Sequence, residues 1–502
     1  MRFLDYLARN VEQRGDHVFV IHDGQHITYA DFDRRVNQCA HALRGLGLQK
    51  GERVTLAMSN GVEYLIAAFG TQKAGGVLNP VNPALGAGEL DYILQHAEPR
   101  IIITTPDAAS NILSEKVHRP AGCVVASFGP VVGAVRLDEL SATQPTTPPA
   151  VVLGPGDWAS LMYTSGTTGA PKGVLFAHGR SGATGQVFCQ GLGIGPDDVV
   201  LAVTPLFHGN AWGAVQVAIA AGGTVVFPKS FKGSEFWPLV QAHGVTFVFT
   251  LGTVLAMLLA REPSPAERNH RMRVILGLGS ASVRDRVIER FGVTDVAECF
   301  GSSDAGVVTL TPLGAPPRPG SCGPPVPGVR IEIRDDAGGA LPPRQVGEIA
   351  VHSPASMSAY FKMPEETQQA LRDGWFFSGD LGFLDEDGWL YFVDRKRDVI
   401  RRGGENVSSV LVEKAIREHP AVADVAVIGV PEPVLGQEIK AYVVAQAPVT
   451  EAELQAFVAE RLAKFQVPRL WEFRDALPKT ATQRVEKYKL RQEHDGGRPL
   501  LG

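Results

Sequence analysis

Cysteine is scarce in this chain of 502 residues. The five cysteines stand far apart, and no two form a C-x-x-C pair: Cys39, Cys123, Cys189, Cys299 and Cys322. Such spacing suits neither a disulfide framework nor a zinc site. The cysteine pattern therefore predicts reduced thiols and a cytoplasmic location.

Long apolar runs are also missing. The one membrane-like stretch, residues 199–228, is uncharged. Proline, histidine and asparagine interrupt it before it reaches the roughly 18 consecutive apolar residues that a membrane-spanning helix needs. Charged residues follow the N-terminus too early for the apolar core of a secretory signal. We expect neither export nor integral membrane contact.

Neither sign of charge dominates the chain, whose formal net charge is -5. A nucleic-acid binder needs clustered lysine and arginine to neutralise phosphates, so this balance argues against nucleic acid as a partner. Hydrophobic residues make up 44% and charged residues 20%, values typical of a folded globular protein. An anionic ligand would therefore have to be bound by a local site.

Apolar runs alternate with helical patterns along most of the chain. The runs at 53–58, 100–104, 224–227, 246–250 and 273–278 predict strands, and the patterns at 63–73 and 90–97 predict helices. This alternation predicts an α/β fold with layered, mainly parallel sheets.

Two later changes of composition suggest further divisions. Prolines and glycines crowd residues 310–343, and short strands at 329–333 and 348–352 predict a small β-rich subdomain. After Asp394 the pattern becomes helix (410–419), strand (425–430), strand (440–445) and helix (451–464). We therefore expect a large N-terminal domain, 1–394, and a small α+β C-terminal domain, 395–502.

The most informative segment is a loop of small polar residues followed by Lys172. The loop consists of Thr164, Ser165, Gly166, Thr167, Thr168 and Gly169. Glycines let backbone N–H groups approach phosphate oxygens, hydroxyls add donors, and a lysine supplies a mobile positive charge. Because Gly173 follows the lysine, the loop is not a Walker A motif. The residues alone leave a phosphate cradle and a flexible polar turn as alternatives.

The whole string from Tyr163 to Val174 resembles the signature of the adenylate-forming superfamily, which includes the acyl-CoA synthetases. The resemblance implies an enzyme, an ATP-dependent carboxylic acid:CoA ligase. Such an enzyme uses ATP, Mg²⁺ and coenzyme A to convert a small carboxylic acid into acyl-CoA, AMP and pyrophosphate through an acyl-adenylate.

Further motifs follow in the order that this superfamily shows. The resemblance implies an acyl pocket beside Phe207 and Trp212, with His208 gating the carboxylate. It implies adenine contacts from two loops: Gly279, Ser280 and Ala281, and Phe300, Gly301, Ser302, Ser303 and Asp304. Asp304 would also hold the magnesium–ATP complex. Asp380 and Arg395 would bind the ribose.

The small domain begins where the superfamily has a hinge, and Arg397 occupies the hinge position. The resemblance implies that this domain is mobile. After adenylation it would turn, bring Gly403 and Gly404 to CoA, and allow the thiolate to displace AMP.

The chain departs from the superfamily at two charged positions. Asp304 stands where glutamate is common, and Arg484 stands where the adenylation lysine is usual. A guanidinium keeps the charge but is not interchangeable with an ammonium, which leaves Lys487 as an alternative adenylation cation. The expected catalytic residues are Lys172, His208, Arg484 and Lys487.

Segments 391–409 and 236–241 look most like those of bacterial crotonobetaine/carnitine–CoA ligases and their relatives. The acid itself stays open among a carnitine-like, an aliphatic and an aromatic one. Two other functions also stay open: a catalytically weakened regulatory member of the fold, and an acyl-adenylate ligase that serves a carrier protein. The sequence does not fix the oligomeric state, and a homodimer is one option.

Overall fold

The computed structural model describes residues 2–164, 171–280, 283–316, 318–396, 398–402, 405–479 and 485–494. The chain divides into two compact units. The first unit comprises Met1–Arg330 and Val351–Phe376, and the second comprises Ile331–Ala350 and Phe377–Gly502. The predicted hinge residue Arg397 lies outside the described residues.

The strands, in chain order, are β1 (Val18–His22), β2 (Gln25–Thr28), β3 (Arg53–Ala57), β4 (Val77–Pro80), β5 (Ile101–Thr104), β6 (Val124–Ser127), β7 (Val135–Arg136), β8 (Trp158–Thr164), β9 (Lys172–Ala177), β10 (Val199–Ala202), β11 (Thr224–Val226), β12 (Phe247–Leu251), β13 (Val274–Leu278), β14 (Asp295–Ala297), β15 (Cys299–Ser302), β16 (Gly306–Leu310), β17 (Ser321–Gly323), β18 (Arg330–Arg334), β19 (Gly347–His352), β20 (Ala359–Tyr360), β21 (Leu371–Arg372), β22 (Trp375–Leu384), β23 (Leu390–Arg395), β24 (Ile400–Arg402), β25 (Glu405–Val407), β26 (Val422–Glu432), β27 (Gly436–Ala445) and β28 (Leu470–Phe473).

The α-helices are α1 (Phe3–Arg14), α2 (Tyr29–Gly45), α3 (Val62–Lys73), α4 (Ala87–Ala97), α5 (Ala109–Ile112), α6 (Leu137–Ala142), α7 (Ala183–Leu192), α8 (Gly209–Ala221), α9 (Phe236–Ala242), α10 (Gly252–Leu259), α11 (Arg284–Phe291), α12 (Pro364–Ala370), α13 (Ser409–Arg417), α14 (Glu451–Ala459) and α15 (Lys487–His494). Within the described part of the chain, no helix is both long and apolar enough to cross a membrane.

Two large sheets build the first unit. One has the strand order β14-β13-β12-β10-β11-β1-β2, and all its neighbours are parallel except β1 and β2. The other has the order β20-β9-β8-β4-β3-β5-β6-β7 and is parallel from β8 to β7. The predicted α/β class with mainly parallel sheets is confirmed.

One apolar core joins both sheets of the first unit through helices α1, α2, α3 and α8. Strand β5 is buried along its whole length, which explains its uninterrupted isoleucines. Helix α3 buries ten of its twelve residues, so it shows little amphipathic patterning and reads as an apolar run. The helix ends at Lys73, and two residues later Gly75 adopts a φ of 88°, a conformation that glycine adopts readily.

The second unit contains neighbouring strands in the order β18, β19, β22 and β23, and a sheet of order β25-β24-β27-β26, with β28 beside β27. Helices α13 and α14 pack on the latter sheet in an apolar core. Its β26–β27 hairpin is longer than the predicted 425–430 and 440–445 because pairing continues to Glu432 opposite Gly436, beyond the apolar residues that signal the strands. Helix α14 ends at Ala459, before the predicted Lys464.

Candidate functional site

Two antiparallel strands, β8 and β9, flank the loop of small polar residues that precedes Lys172. Thr164 at the end of β8 lies opposite Lys172 at the start of β9. The residues between them that carry the motif, Ser165, Gly166, Thr167, Thr168 and Gly169, lie outside the described residues. The ladder holds the two described ends side by side, so Lys172 has a fixed backbone position at the exit of the loop.

Two half-buried contacts support the strands on either side of the loop. The Tyr92 hydroxyl on α4 donates to the Pro171 carbonyl over 3.2 Å. The Tyr163 hydroxyl on β8 lies 2.7 Å from the Nδ1 atom of His96, also on α4. Helix α4 therefore supports the chain on both sides of the polar loop, at Tyr163 before it and at Pro171 just before Lys172.

The ammonium of Lys172 lies over the ring of Tyr360, with the nitrogen 4.9 Å from the ring centroid. Burial and the charge of the Asp304 carboxylate raise the pKa of the Tyr360 hydroxyl. Lys172, Tyr360 and Asp304 all belong to the first unit. Sequence reasoning found Lys172 and Asp304 but missed Tyr360, because no local pattern distinguishes it from other strand tyrosines.

The predicted adenine loop, Gly279–Ser280, is held by Glu298. The two backbone N–H groups each donate to this carboxylate over 2.7 Å, and the Ser280 hydroxyl donates over 3.0 Å. Burial raises the pKa of Glu298 to about 7, although these donors work against that rise. Ala281 lies outside the described residues. The position of Glu298 just before Cys299 and Phe300 was an available signal that sequence reasoning did not use.

Gly252 at the start of α10 touches the same loop from the other side. A Cβ built there would lie 2.1 Å from the Gly279 carbonyl oxygen, a distance no side chain tolerates. The loop backbone would have to move, and Gly279 already has a φ of 73°, in the left-handed region. The shape of this loop therefore requires glycine at position 252.

Gly252→Ala is expected to weaken ATP binding about tenfold, because overpacking of this kind costs roughly 1–3 kcal/mol. Titration calorimetry of ATP measures the effect. Gly88→Ala is the matched control, since a Cβ at Gly88 in α4 would have nothing within 4 Å. Parent-like ATP affinity in Gly252→Ala would show that this loop does not contact the nucleotide.

The second predicted adenine segment runs along β15 into a tight turn. Phe300, Gly301 and Ser302 lie on β15, and Ser303 and Asp304 lie in the turn before β16. A Cβ on Gly301 would come within 2.5 Å of the Gly306 carbonyl oxygen, so the turn closes tightly only over glycine. The Met357 N–H donates to the Asp304 carbonyl over 2.6 Å and fixes the backbone that carries its carboxylate.

His208 precedes α8 as its N-cap, and its ring lies 4.5 Å from that of Phe207. Burial lowers the pKa of His208 to about 4, so the imidazole is neutral near pH 7. Its Nε2 atom is buried and has no hydrogen-bond partner among the described residues. A neutral imidazole in this position is available to a polar ligand atom.

Trp212 lies one turn into α8 from His208. Its ring packs against Phe3 and Phe69 of the main core, with centroid distances of 5.4 and 6.1 Å. Part of the side chain stays exposed. The tryptophan therefore has a packing role that the sequence motif did not indicate, alongside its predicted place beside the acyl pocket.

In the second unit, Asp380 on β22 lies opposite Arg395 on β23. The arginine Nε is 3.0 Å from the carboxylate, and the Asp380 side chain is only 6% exposed. The Asp380 N–H donates to the Ser378 hydroxyl over 3.1 Å. The structure thus brings together the two side chains for which the sequence predicts a ribose-binding role.

Lys487 at the start of α15 makes two close contacts within the second unit. Its ammonium lies 2.7 Å from the Glu413 carboxylate and donates to the Ser409 hydroxyl over 2.6 Å. Both charged side chains are nearly buried, 13% and 12% exposed. The other predicted residues of this part of the chain, Arg397, Gly403, Gly404 and Arg484, lie outside the described residues.

Comparison with known proteins gives matches over most of the chain. The family described as AMP-binding enzyme matches residues 7–361, and the AMP-binding enzyme C-terminal domain matches residues 411–484. A crotonobetaine/carnitine–CoA ligase from Salmonella arizonae is 32% identical over 495 residues, covering 93% of each chain. A feruloyl-CoA synthase from Amycolatopsis is 34% identical over 485 residues, covering 94% of this chain and 95% of that protein.

A solved structure agrees with these sequence matches. The crystal structure of ATP-bound MatB from Rhodopseudomonas palustris superposes with a TM-score of 0.89 at 30% identity, covering 98% of this chain and 99% of that one. The resemblance inferred from the motifs is confirmed, including the similarity to crotonobetaine/carnitine–CoA ligases.

Proposed function

The chain belongs to the AMP-binding enzyme family and is an AMP-forming acid–CoA ligase that works through an acyl-adenylate, and on that premise we propose which residues act and which class of acid they activate. The observation that carries the proposal is the Lys172 ammonium, which lies over the Tyr360 ring at the end of the polar loop, in the same unit as Asp304. Such a cation suits the phosphate chain of ATP, and the Asp304 carboxylate suits the metal ion that binds with it.

Adenylation brings two anions, the carboxylate and the α-phosphate, into line, and negative charge gathers on the phosphates. Preorganised cations and N–H donors lower the barrier most effectively in such a step. We assign Lys172 to the phosphates, where it neutralises the charge that develops as pyrophosphate leaves. No protein nucleophile is required, because the acid itself attacks the phosphorus.

Asp304 fits the magnesium ion that we propose for the ATP complex. The described residues contain no group of three or more histidine, cysteine, aspartate or glutamate side chains that could enclose a metal. Mg²⁺ in nucleotide sites is usually held by one or two carboxylates and the phosphates, so a lone carboxylate is the donor set expected here. When bound, the ion would neutralise phosphate charge, and Asp304 would orient it.

Asp380 and Arg395 are proposed to bind the ribose. A carboxylate accepts hydrogen bonds from both ribose hydroxyls, and the ion pair with Arg395 orients the Asp380 carboxylate. The Glu298-supported backbone of Gly279 and Ser280 is proposed to lie against adenine.

The acid is proposed to be uncharged apart from its carboxylate. The side chains assigned to its pocket are Phe207, Trp212 and a neutral His208, whose buried Nε2 atom can meet the carboxylate. The Trp212 ring already packs on Phe3 and Phe69 of the apolar core. We therefore favour ordinary apolar lining, which suits an aliphatic or aromatic acid, over a cation–π site for a quaternary ammonium.

Pyrophosphate release with a panel of acids tests this assignment. The sharpest pair is crotonobetaine and its carbon isostere, in which a tert-butyl group replaces the trimethylammonium group at constant shape. Benzoate, ferulate and straight-chain acids complete the panel. We expect a higher kcat/KM for the isostere than for crotonobetaine. Preference for the charged compound would overturn the proposed acid class while leaving the reaction intact.

The thioester step is proposed to require rotation of domain 395–502 about Arg397. Arg397→Pro is expected to spare ATP–pyrophosphate exchange and to abolish acyl-CoA formation, because proline fixes φ near roughly -65° and only the second step needs the turned domain. Arg397→Ala is the matched control, since it removes the side chain but leaves the backbone free. Equal loss of both half-reactions in a folded Arg397→Pro protein would contradict the hinge.

A further inference from the structure

We propose that Asn60 is a positioning residue for the acid pocket. Its side chain holds the turn of residues 204–208, which carries Phe207 and His208, and thereby sets the affinity for the acid. The inference rests on the proposed function, which assigns these two residues to the acid, and adds a residue to it. Asn60 follows β3, which belongs to a different sheet from β10, the strand that leads into the turn.

Both polar atoms of the Asn60 amide bind backbone groups of segments that follow strands of the other sheet. The Oδ1 atom accepts from the Leu206 N–H over 2.8 Å, and the Nδ2 atom donates to the Pro228 carbonyl over 3.1 Å. Leu206 lies in the turn after β10, and Pro228 lies two residues beyond the end of β11. One side chain thus fixes the backbone immediately before Phe207 and ties it to the neighbouring segment.

The turn lies where a parallel sheet places its ligand sites. Strands β12, β10 and β11 are parallel neighbours, so their carboxyl ends share one edge of the sheet. Open α/β sheets bind ligands outside the carboxyl ends of their strands. Asn60 itself stands after the carboxyl end of β3, a parallel strand of the other sheet. Its amide therefore links strand ends of both sheets at the turn.

Other hydrogen bonds hold the two ends of the turn. The His208 N–H donates to the Pro205 carbonyl over 2.9 Å. The Asn210 side chain accepts from the Thr204 hydroxyl over 3.0 Å and donates to the Thr250 carbonyl in β12 over 3.2 Å. These bonds fix the entry to the turn and the start of α8, whereas the Asn60 amide supports the middle.

Loss of the Asn60 side chain would release that middle part. Leu206 is 1% exposed, so water has little access to its N–H group. A buried N–H group without an acceptor is costly, and the backbone is therefore expected to shift towards another partner. Phe207 and His208 would move with it, because they follow Leu206 directly in the chain. Their fit to the acid should be lost, while the residues assigned to the phosphates and the ribose lie in other segments.

Steady-state kinetics of pyrophosphate release, with an acid that the parent accepts, tests this separation. Asn60→Leu keeps the approximate volume of the side chain and removes both hydrogen bonds, so the KM for the acid should rise about tenfold. The KM for ATP should stay within about twofold of the parent value. Asn111→Leu is the matched control and should change neither KM, because the Asn111 amide donates to the Pro83 carbonyl over 3.1 Å at an exposed site.

Asn60→Asp provides a second test if the leucine variant is poorly stable. Its carboxylate can still accept from the Leu206 N–H but cannot donate to the Pro228 carbonyl, so its KM for the acid should lie between those of Asn60→Leu and the parent. Values within about twofold of the parent in both variants would overturn the inference. Equal rises in the KM values for acid and ATP would also overturn it, because they would indicate a general loss of structure. A parent protein that releases no pyrophosphate with any acid of the panel would instead overturn the proposed function.

Discussion

Lys172→Ala is expected to slow acyl-adenylate formation about hundredfold, a loss of about 2.7 kcal/mol of transition-state stabilisation. The ammonium stands over Tyr360 at the exit of the polar loop, on a strand whose backbone is paired on both sides. Its removal leaves the developing phosphate charge without this cation, and no rearrangement of the ladder supplies another.

Single-turnover formation of the adenylate from ATP and an accepted acid measures this effect. Lys232→Ala is the control, because the exposed Lys232 ammonium forms a surface ion pair with Glu235 at 2.9 Å. Lys172→Arg separates the effect of charge from that of shape, because a guanidinium keeps the charge but is planar and larger. Its rate of adenylate formation is expected to lie between those of Lys172→Ala and the parent. A Lys172→Ala rate within about fivefold of the parent would remove this residue from the phosphate site.

Arg484→Ala is expected to reduce adenylation about hundredfold, whereas Lys487→Ala should leave its rate within a few fold of the parent. Arg484 occupies the position where the superfamily has its adenylation lysine. Lys487, the alternative, is already paired with Glu413 and Ser409 in a nearly buried cluster. If Lys487 left this cluster, the nearly buried Glu413 carboxylate would lose its charge partner, which would lower the stability of the protein.

Lys487→Ala should also lose stability. It leaves the Glu413 carboxylate without its ammonium, so its unfolding midpoint should fall below that of the parent. Thermal unfolding and single-turnover adenylation, measured on both proteins, give the complete comparison. A crippled Lys487→Ala enzyme with parent-like stability, beside an active Arg484→Ala enzyme, would show that the catalytic cation is Lys487.

Much of the fold could be predicted from sequence because buried parallel strands have a strong local signature. The isoleucines of β5 and the apolar runs of β12 and β13 need no knowledge of their neighbours to be assigned. The ends of the β26–β27 hairpin were less predictable, because polar residues continue the pairing through backbone hydrogen bonds that leave no trace in the side-chain pattern.

The candidate site also contains residues that the sequence predicts and residues that it does not. Lys172, Asp304 and Asp380 stand in motifs that follow the superfamily's order along the chain, so sequence alone predicts roles for them. Tyr360 and Glu298 stand in no such predicted motif, because what singles them out is contact with distant segments: the Tyr360 ring lies under the Lys172 ammonium, and Glu298 accepts hydrogen bonds from Gly279 and Ser280. Tertiary contacts of this kind become visible only when the strands are assembled.

An isotope experiment can show whether the acid attacks the α-phosphorus of ATP. An accepted acid labelled with oxygen-18 in its carboxylate is converted with ATP, Mg²⁺ and coenzyme A, and the products are analysed by mass spectrometry. Each AMP is expected to carry one labelled oxygen, and pyrophosphate is expected to carry none. Label in inorganic phosphate with ADP as the nucleotide product, or ATP binding without any labelled AMP, would contradict it.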